Sequence, residues 1–252
     1  MAVGAERAVI GREAEAFEVE YVDDAGLPCR GTLAACWDRR FEAVTPARVF
    51  PVYQGQTSFS GWWWAARTDE HVGYESWLER SVVMRLDFDP RVVGLASQPF
   101  WLHWWDGRQA RRHAPDYFVR LADGTGVVVD VRADDQIQAD DAEAFAATAR
   151  ACGQVGWEFW RIGAPPVVLD ANLRWLAGYR HPRCWRAEVA GGLVAAFAAP
   201  RPLVDGADAV GGRIAVLPVL FHLLWQQVLV ADLAAELLGP STLVRAGSGG
   251  QR

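Results

Sequence analysis

The chain predicts a mixed α/β fold: a mixed sheet flanked by helices, followed by a smaller, mostly helical C-terminal region. Three observations lead there. A β-hairpin signal runs from His113 to Arg132, with Asp123-Gly124 at its turn. Helical periodicity brackets it, over Tyr74–Phe88 and Ile137–Cys152. From Gly191 onward the composition shifts to Ala, Val and Leu and reads helical.

Composition narrows the function classes. In 252 residues, 51% are hydrophobic and 22% charged, enough for a sizeable core. The net charge of −6 argues against general coating of nucleic acid, while leaving room for a locally basic groove. Cys29, Cys36, Cys152 and Cys184 match no zinc spacing, and are expected as free thiols in a reducing cytoplasm. No stretch reads as a secretory signal or a membrane span, so a soluble cytoplasmic protein is expected. All 25 basic residues are arginine. Any role that usually falls to lysine must therefore fall to a group that stays protonated.

Taken in order, Ala16–Val22 alternates like a strand and Asp23–Gly26 reads as a turn. Ala34–Trp37 and Arg48–Tyr53 read as strand or extended chain, and Gln54–Gly61 as a loop. Trp62, Trp63 and Trp64 would pack a core or cover an edge; stacking on unpaired bases is the alternative. The Tyr74–Phe88 helix carries Trp77, Leu78, Val82 and Leu86 inward, and Glu75 and Glu79 share a face. Asp89-Pro90 ends it. Residues 91–105 then read as strand, kink at Gln98-Pro99, strand. Arg108, Arg111 and Arg112 form a basic loop before the hairpin.

Beyond the hairpin, the 137–152 helix opens on Asp134 and Asp135, which suit the positive end of its dipole. Trp157–Ile162 is a strand and Val167–Tyr179 a short helix. Arg213–Trp225, Leu229–Leu238 and a piece starting at Pro240 look like helix-turn-helix with a third helix. This region could read DNA, but the acidic balance and few arginines favour docking a protein.

The chemistry centres on the hairpin. A carboxylate inside a valine strand is costly to bury unless paired or coordinated. Asp130 and Arg132 share one face of their strand, with Val131 on the other. A three-residue turn would bring Asp116 to that face; a two-residue turn would put it on the opposite one. The glycines permit either. If the carboxylates converge, Glu79 can add a third, a donor set suited to Mg²⁺ or Mn²⁺. Such a metal beside a phosphodiester polarises the phosphoryl oxygen, and Arg132 would stabilise the growing negative charge. His71, His103, His113, His181 and His222 are scattered and read as structural. His113, three residues before Asp116, is the one close enough to support the site.

The order Glu79, Pro115-Asp116, then Asp130-x-Arg132 resembles the PD-(D/E)xK nuclease superfamily. A longer string is more specific: Ser76-Trp77-Leu78-Glu79, Leu86-Asp87-Phe88-Asp89-Pro90, Gln98-Pro99, Pro115-Asp116-Tyr117-Phe118, Asp123-Gly124 and Val129–Arg132. It resembles the TnsA family of transposon endonuclease subunits over roughly residues 60–165. The resemblance implies a restriction-endonuclease-like mixed sheet with a winged-helix-like C-terminal half. It also implies Mg²⁺-dependent nicking of the 5′ strands at transposon ends, beside a TnsB-like DDE transposase and a TnsC-like AAA+ ATPase. Glu79, Asp116 and Asp130 then stand at the acidic, metal-holding positions, with Glu75 as the alternative to Glu79, and Arg132 stands where the family has lysine. Arg108, Arg111 and Arg112 are candidates for contact with double-stranded DNA. The expected divisions are 1–60 (an extension of strands and loops), 61–165 (the nuclease domain), 166–246 (the helical domain) and 247–252 (a disordered tail). If the family lysine acts as a base, arginine would leave a nuclease-fold scaffold that binds DNA and partner. A free-standing defence or repair nuclease is the other alternative.

Overall fold

The computed structural model describes residues 16–48 and 59–247. Most of the expected extended segment Arg48–Tyr53, most of the 54–61 loop and the tail from 248 lie outside the described residues.

The chain begins with β1 (Glu18–Val22), β2 (Pro28–Thr32), α1 (Leu33–Cys36), β3 (Gly61–Ala65), β4 (Glu70–Tyr74) and α2 (Trp77–Phe88). Then come β5 (Val92–Ser97), β6 (Trp101–Trp105), β7 (Ala110–His113), β8 (Tyr117–Leu121), β9 (Gly126–Val131), α3 (Ala139–Val155) and β10 (Glu158–Ile162). The C-terminal third holds α4 (Val167–Ala177), α5 (Ala187–Ala196), β11 (Arg201–Pro202), α6 (Leu203–Asp208), α7 (Arg213–Trp225), β12 (Leu229–Val230) and β13 (Leu243–Ala246).

The layers follow from side-chain alternation. One sheet runs β2-β1-β6-β7 and a second runs β10-β9-β8-β5, with only β10 parallel to its neighbour. Tyr117, Val119, Val127 and Val129 face a core shared with α2, α4, α5 and α7. Phe118 and Val128 face the first sheet and α3. Both faces of β8 and β9 are covered, which is why the valine run is nearly continuous. Phe41 fixes the second core: its ring lies 5.0–5.7 Å from Tyr21, Phe100, Phe118 and Trp157. Gly126 is required there, since a Cβ would stand 2.8 Å from Trp157 and 2.9 Å from Phe118.

Several expectations are corrected. Within the described part of the expected N-terminal extension, β1 does not stand alone: it pairs with β6 inside the first sheet. Nor does residue 165 divide two cores: one apolar cluster runs from Val82 and Val129 through Leu173 and Leu193 to Val244. Residues 33–36 form one helical turn, not a strand. Tyr74 ends β4, so α2 starts at Trp77, where Ser76 caps it. Of the three tryptophans, Trp63 is buried with its indole N–H donating to Asp87 (3.0 Å), while Trp62 stays exposed. Arg111 and Arg112 belong to β7 rather than a loop.

The expected Leu229–Leu238 helix is instead β12 and an irregular loop, and the piece from Pro240 ends in β13. Asn172 explains the first departure. Its amide nitrogen donates to the carbonyls of Leu233 (2.9 Å) and Glu236 (2.8 Å), and its oxygen accepts from Leu238 N (2.9 Å). Those backbone groups are thereby satisfied outside a helical ladder. Asp232 Oδ1 also accepts from Ala234 and Ala235, a local turn that competes with helix. Among the described residues, no helix is long and apolar enough to cross a membrane.

Candidate active site

The turn between β8 and β9 sets the geometry. Gly124 takes φ +91°, its N–H donates to Leu121 O (2.9 Å), and Leu121 N donates to Thr125 O (2.9 Å). This is a three-residue loop closed by a left-handed glycine. It pairs Tyr117 with Val129 and Phe118 with Val128. Extended by one position, the register sets Asp116 opposite Asp130, on the face of Phe118 and Val128.

The two carboxylates are held differently. Asp116 accepts from the backbone N–H of Val131 at 2.6 Å. Burial pushes its carboxyl well above the ordinary range, and the charges of Asp130 and Glu79 push it further. Asp130 is 1% exposed; its Oδ1 lies 2.8 Å from His113 Nε2, and its Oδ2 has no partner among the described residues. His113 comes from the end of β7 and meets the Phe145 ring of α3 edge-on. Burial, then Asp130, pushes the neighbouring Cys152 thiol up to about 12, so this thiol stays protonated.

Glu79 approaches from the start of α2. Ser76 Oγ accepts from Glu79 N (3.1 Å), while the Glu79 carboxylate accepts from Glu75 N (2.7 Å) and Ser76 Oγ (2.9 Å). Ser76 is therefore the cap of α2, and the Glu79 carboxylate braces it by holding the Ser76 hydroxyl and the Glu75 N–H. Burial raises its pKa, an effect only partly offset by these hydrogen bonds. Glu75 pairs with Arg48, and its buried Oε1 has no partner among the described residues. Arg48 lies close enough to favour the charged forms of both Glu79 and Asp116.

Arg132 is engaged by a further carboxylate. It forms an ion pair with Asp141 (2.9 Å), the residue that also caps α3 by accepting from Gln138 N (3.0 Å). The three candidate DNA contacts differ. Arg111 is paired with Asp106 (2.7 Å), holding that carboxyl down at about 2. Arg112 lies over the Trp101 ring (4.4 Å), and Arg108 is exposed. A cleft of about 370 Å³ lined by Arg40, Glu42, Arg67 and His71 includes none of Glu75, Glu79, Asp116 and Asp130.

Among the described residues, no three His, Cys, Asp or Glu side chains form a ready-made metal cage. The donors present still fit Mg²⁺. They are oxygens, Asp130 Oδ2 is buried and unused, and Mg²⁺ takes one or two carboxylates while keeping waters and substrate phosphates. Arg48, Gln98 and Asp141 adjoin the predicted residues without having been predicted. Gln98-Pro99 stood as a kink and as part of the TnsA-like string, with no role for its side chain, and Arg48 lies far in sequence from its partner Glu75. Compared with models of known protein families and with curated proteins, the chain matches none.

Proposed function

We propose that the protein is a Mg²⁺- or Mn²⁺-dependent DNA endonuclease subunit of a heteromeric transposase, nicking the 5′ strand at transposon ends. The observation that carries this reading is the β8–β9 register, which sets Asp116 opposite Asp130 with Glu79 in electrostatic reach. An antiparallel β5-β8-β9 core with parallel β10, helices on both faces and carboxylates at one end supports a restriction-endonuclease-like fold. The order α5, β11, α6, α7, β12, β13, with the small sheet β11-β13-β12, supports a winged-helix-like C-terminal part. There the reading-helix position falls to α7 rather than to Pro240–Arg245. Its first turn carries Ile214, 95% exposed, and Arg213 paired with Asp208, which favours docking a protein over reading bases.

In this reading Asp116 and Asp130 hold the divalent ion, with Glu79 beside them. His113 keeps Oδ1 of Asp130 engaged, which leaves Oδ2 for the metal. A bound Mg²⁺ would polarise a phosphoryl oxygen and ease deprotonation of the attacking water. Arg132, always protonated, supplies charge and cannot accept a proton. The partners are double-stranded DNA at the transposon ends, a TnsB-like DDE transposase and a TnsC-like ATPase, in the bacterial cytoplasm at the nucleoid.

The test has two arms. Calorimetric titration with Mn²⁺ is expected to show binding that Asp116→Ala abolishes. Strand nicking on transposon-end DNA is expected only with the transposase partner and divalent metal. Absence of Mn²⁺ binding would remove the nuclease reading. Nicking by this protein alone would replace the subunit with a free-standing nuclease. The engagement of Arg132 by Asp141 favours a second reading, a catalytically weak scaffold. Metal binding and partner binding without nicking would select it.

A further inference from the structure

Gln98 occupies an unusual position. It is 2% exposed, yet its side-chain Oε1 has no hydrogen-bond partner among the described residues. Its backbone is left-handed, φ +46°, a conformation rare for a residue with a Cβ. Both strain and an unsatisfied buried oxygen disfavour the fold, and such features concentrate where function demands them.

The ladder shows what lies beside it. β5 pairs Ser97 with Tyr117, and Gln98 N donates to Asp116 O (2.8 Å). One register step beyond Ser97–Tyr117 therefore sets Gln98 opposite Asp116, just as one step beyond Tyr117–Val129 sets Asp116 opposite Asp130. Three residues with oxygen-bearing side chains stand abreast in register across three adjacent strands, with Asp116 in the middle. The Gln98 carbonyl accepts from Ala47 N (2.8 Å), which ties the Arg48 segment to the same end of the sheet. The unpartnered buried atoms here (Gln98 Oε1, Asp130 Oδ2, Glu75 Oε1 and Arg48 Nε) belong to residues around one place.

Resting on the nuclease reading, we infer that Gln98 is a further metal-ligating residue of this site, contributing a neutral amide oxygen to the divalent ion between Asp116 and Asp130. An amide oxygen suits a hard cation. It also adds a donor without adding negative charge to a site where the carboxylates already repel one another.

Glycine separates ligation from scaffolding, because it adopts φ +46° without steric cost. Mn²⁺ alone is titrated into the full chain and its Gln98→Gly, Gln98→Glu and Asp116→Ala variants, with melting followed in metal-free buffer. Gln98→Gly is expected to bind Mn²⁺ tenfold or more weakly while melting no lower than wild type. Gln98→Glu, which keeps an oxygen in place, is expected to bind at least as tightly as wild type. Unchanged affinity in Gln98→Gly, with binding abolished in Asp116→Ala, would overturn the role of Gln98 and leave the nuclease reading standing. Wild type that binds no Mn²⁺ would overturn both. If Gln98→Gly melts lower, Gln98→Glu decides: binding as weak as in Gln98→Gly overturns the inference.

Discussion

Buried carboxylates with different partners behave differently. Asp87 is 1% exposed and accepts from Trp63 Nε1, Ala66 N and Arg67 N at 3.0–3.1 Å, so each donor it satisfies would be orphaned by truncation. Asp87→Ala is expected to cost about 3 kcal/mol or more, read as a shift in urea midpoint. Asp116 is also buried and accepts from a backbone donor, Val131 N, but it faces other carboxylates. Its native pKa is raised by burial and by Asp130 and Glu79, so the folded state holds its proton more tightly than the unfolded chain does. Stability therefore falls as pH rises from the ordinary carboxylate range through the native pKa. In chelator, Asp116→Asn is expected to melt a few degrees above wild type at pH 8, the gap narrowing toward pH 4. Equal melting at both pH values would refute the burial argument. At this scale the sequence displayed the acidic residues but not their company. Ser76-x-x-Glu79 is itself a capping-box signature, yet it was read for its charge alone, and the His113–Asp130 contact joins strands of two different sheets.

At the scale of elements, what was legible depended on whether local pattern and tertiary demand agreed. The β8–β9 hairpin, α3, β10, α4 and α7 follow their periodicity, and α7 spans the expected Arg213–Trp225. The turn type was open in the sequence because glycines at 124 and 126 allow two registers. The structure uses Gly124 for a positive φ and Gly126 for close packing. Gly124→Ala at φ +91° is expected to destabilise by about 1–2 kcal/mol, measured by chemical denaturation. Loss of a similar size, about 1 kcal/mol, is expected for Ser76→Ala, which removes the α2 cap. The β3–β4 hairpin escaped notice because its tryptophans suggested a cluster rather than a strand. β12 and β13 escaped because their Leu/Val content also suits a helix, and the deciding contacts come from Asn172 in α4.

For the whole molecule, the continuous cluster from α2 and the second sheet into α4, α5 and α7 makes the C-terminal third part of the same folding unit. α4 meets α2 directly, with Arg174 donating to Ser81 Oγ at 3.3 Å. A chain truncated at 165 would expose Val82, Met84 and Val129 and is expected to aggregate. The intact protein is expected to show one calorimetric transition, and two resolved transitions would contradict this. The sequence suggested a division at 165, where Pro165-Pro166 breaks a strand, and a composition shift further on at Gly191. Composition records which residues are apolar, not which surfaces they cover, so a shared core was invisible there.

The Arg132–Asp141 pair ties a strand end to a helix start: one carboxylate both receives the guanidinium and caps the first turn of α3. An anion that competes for Arg132 would release half of that double duty. Amide hydrogen exchange in the first turn of α3 should then change when a polyanion such as duplex DNA is added. Those amides would report on occupancy of a site their own helix does not form.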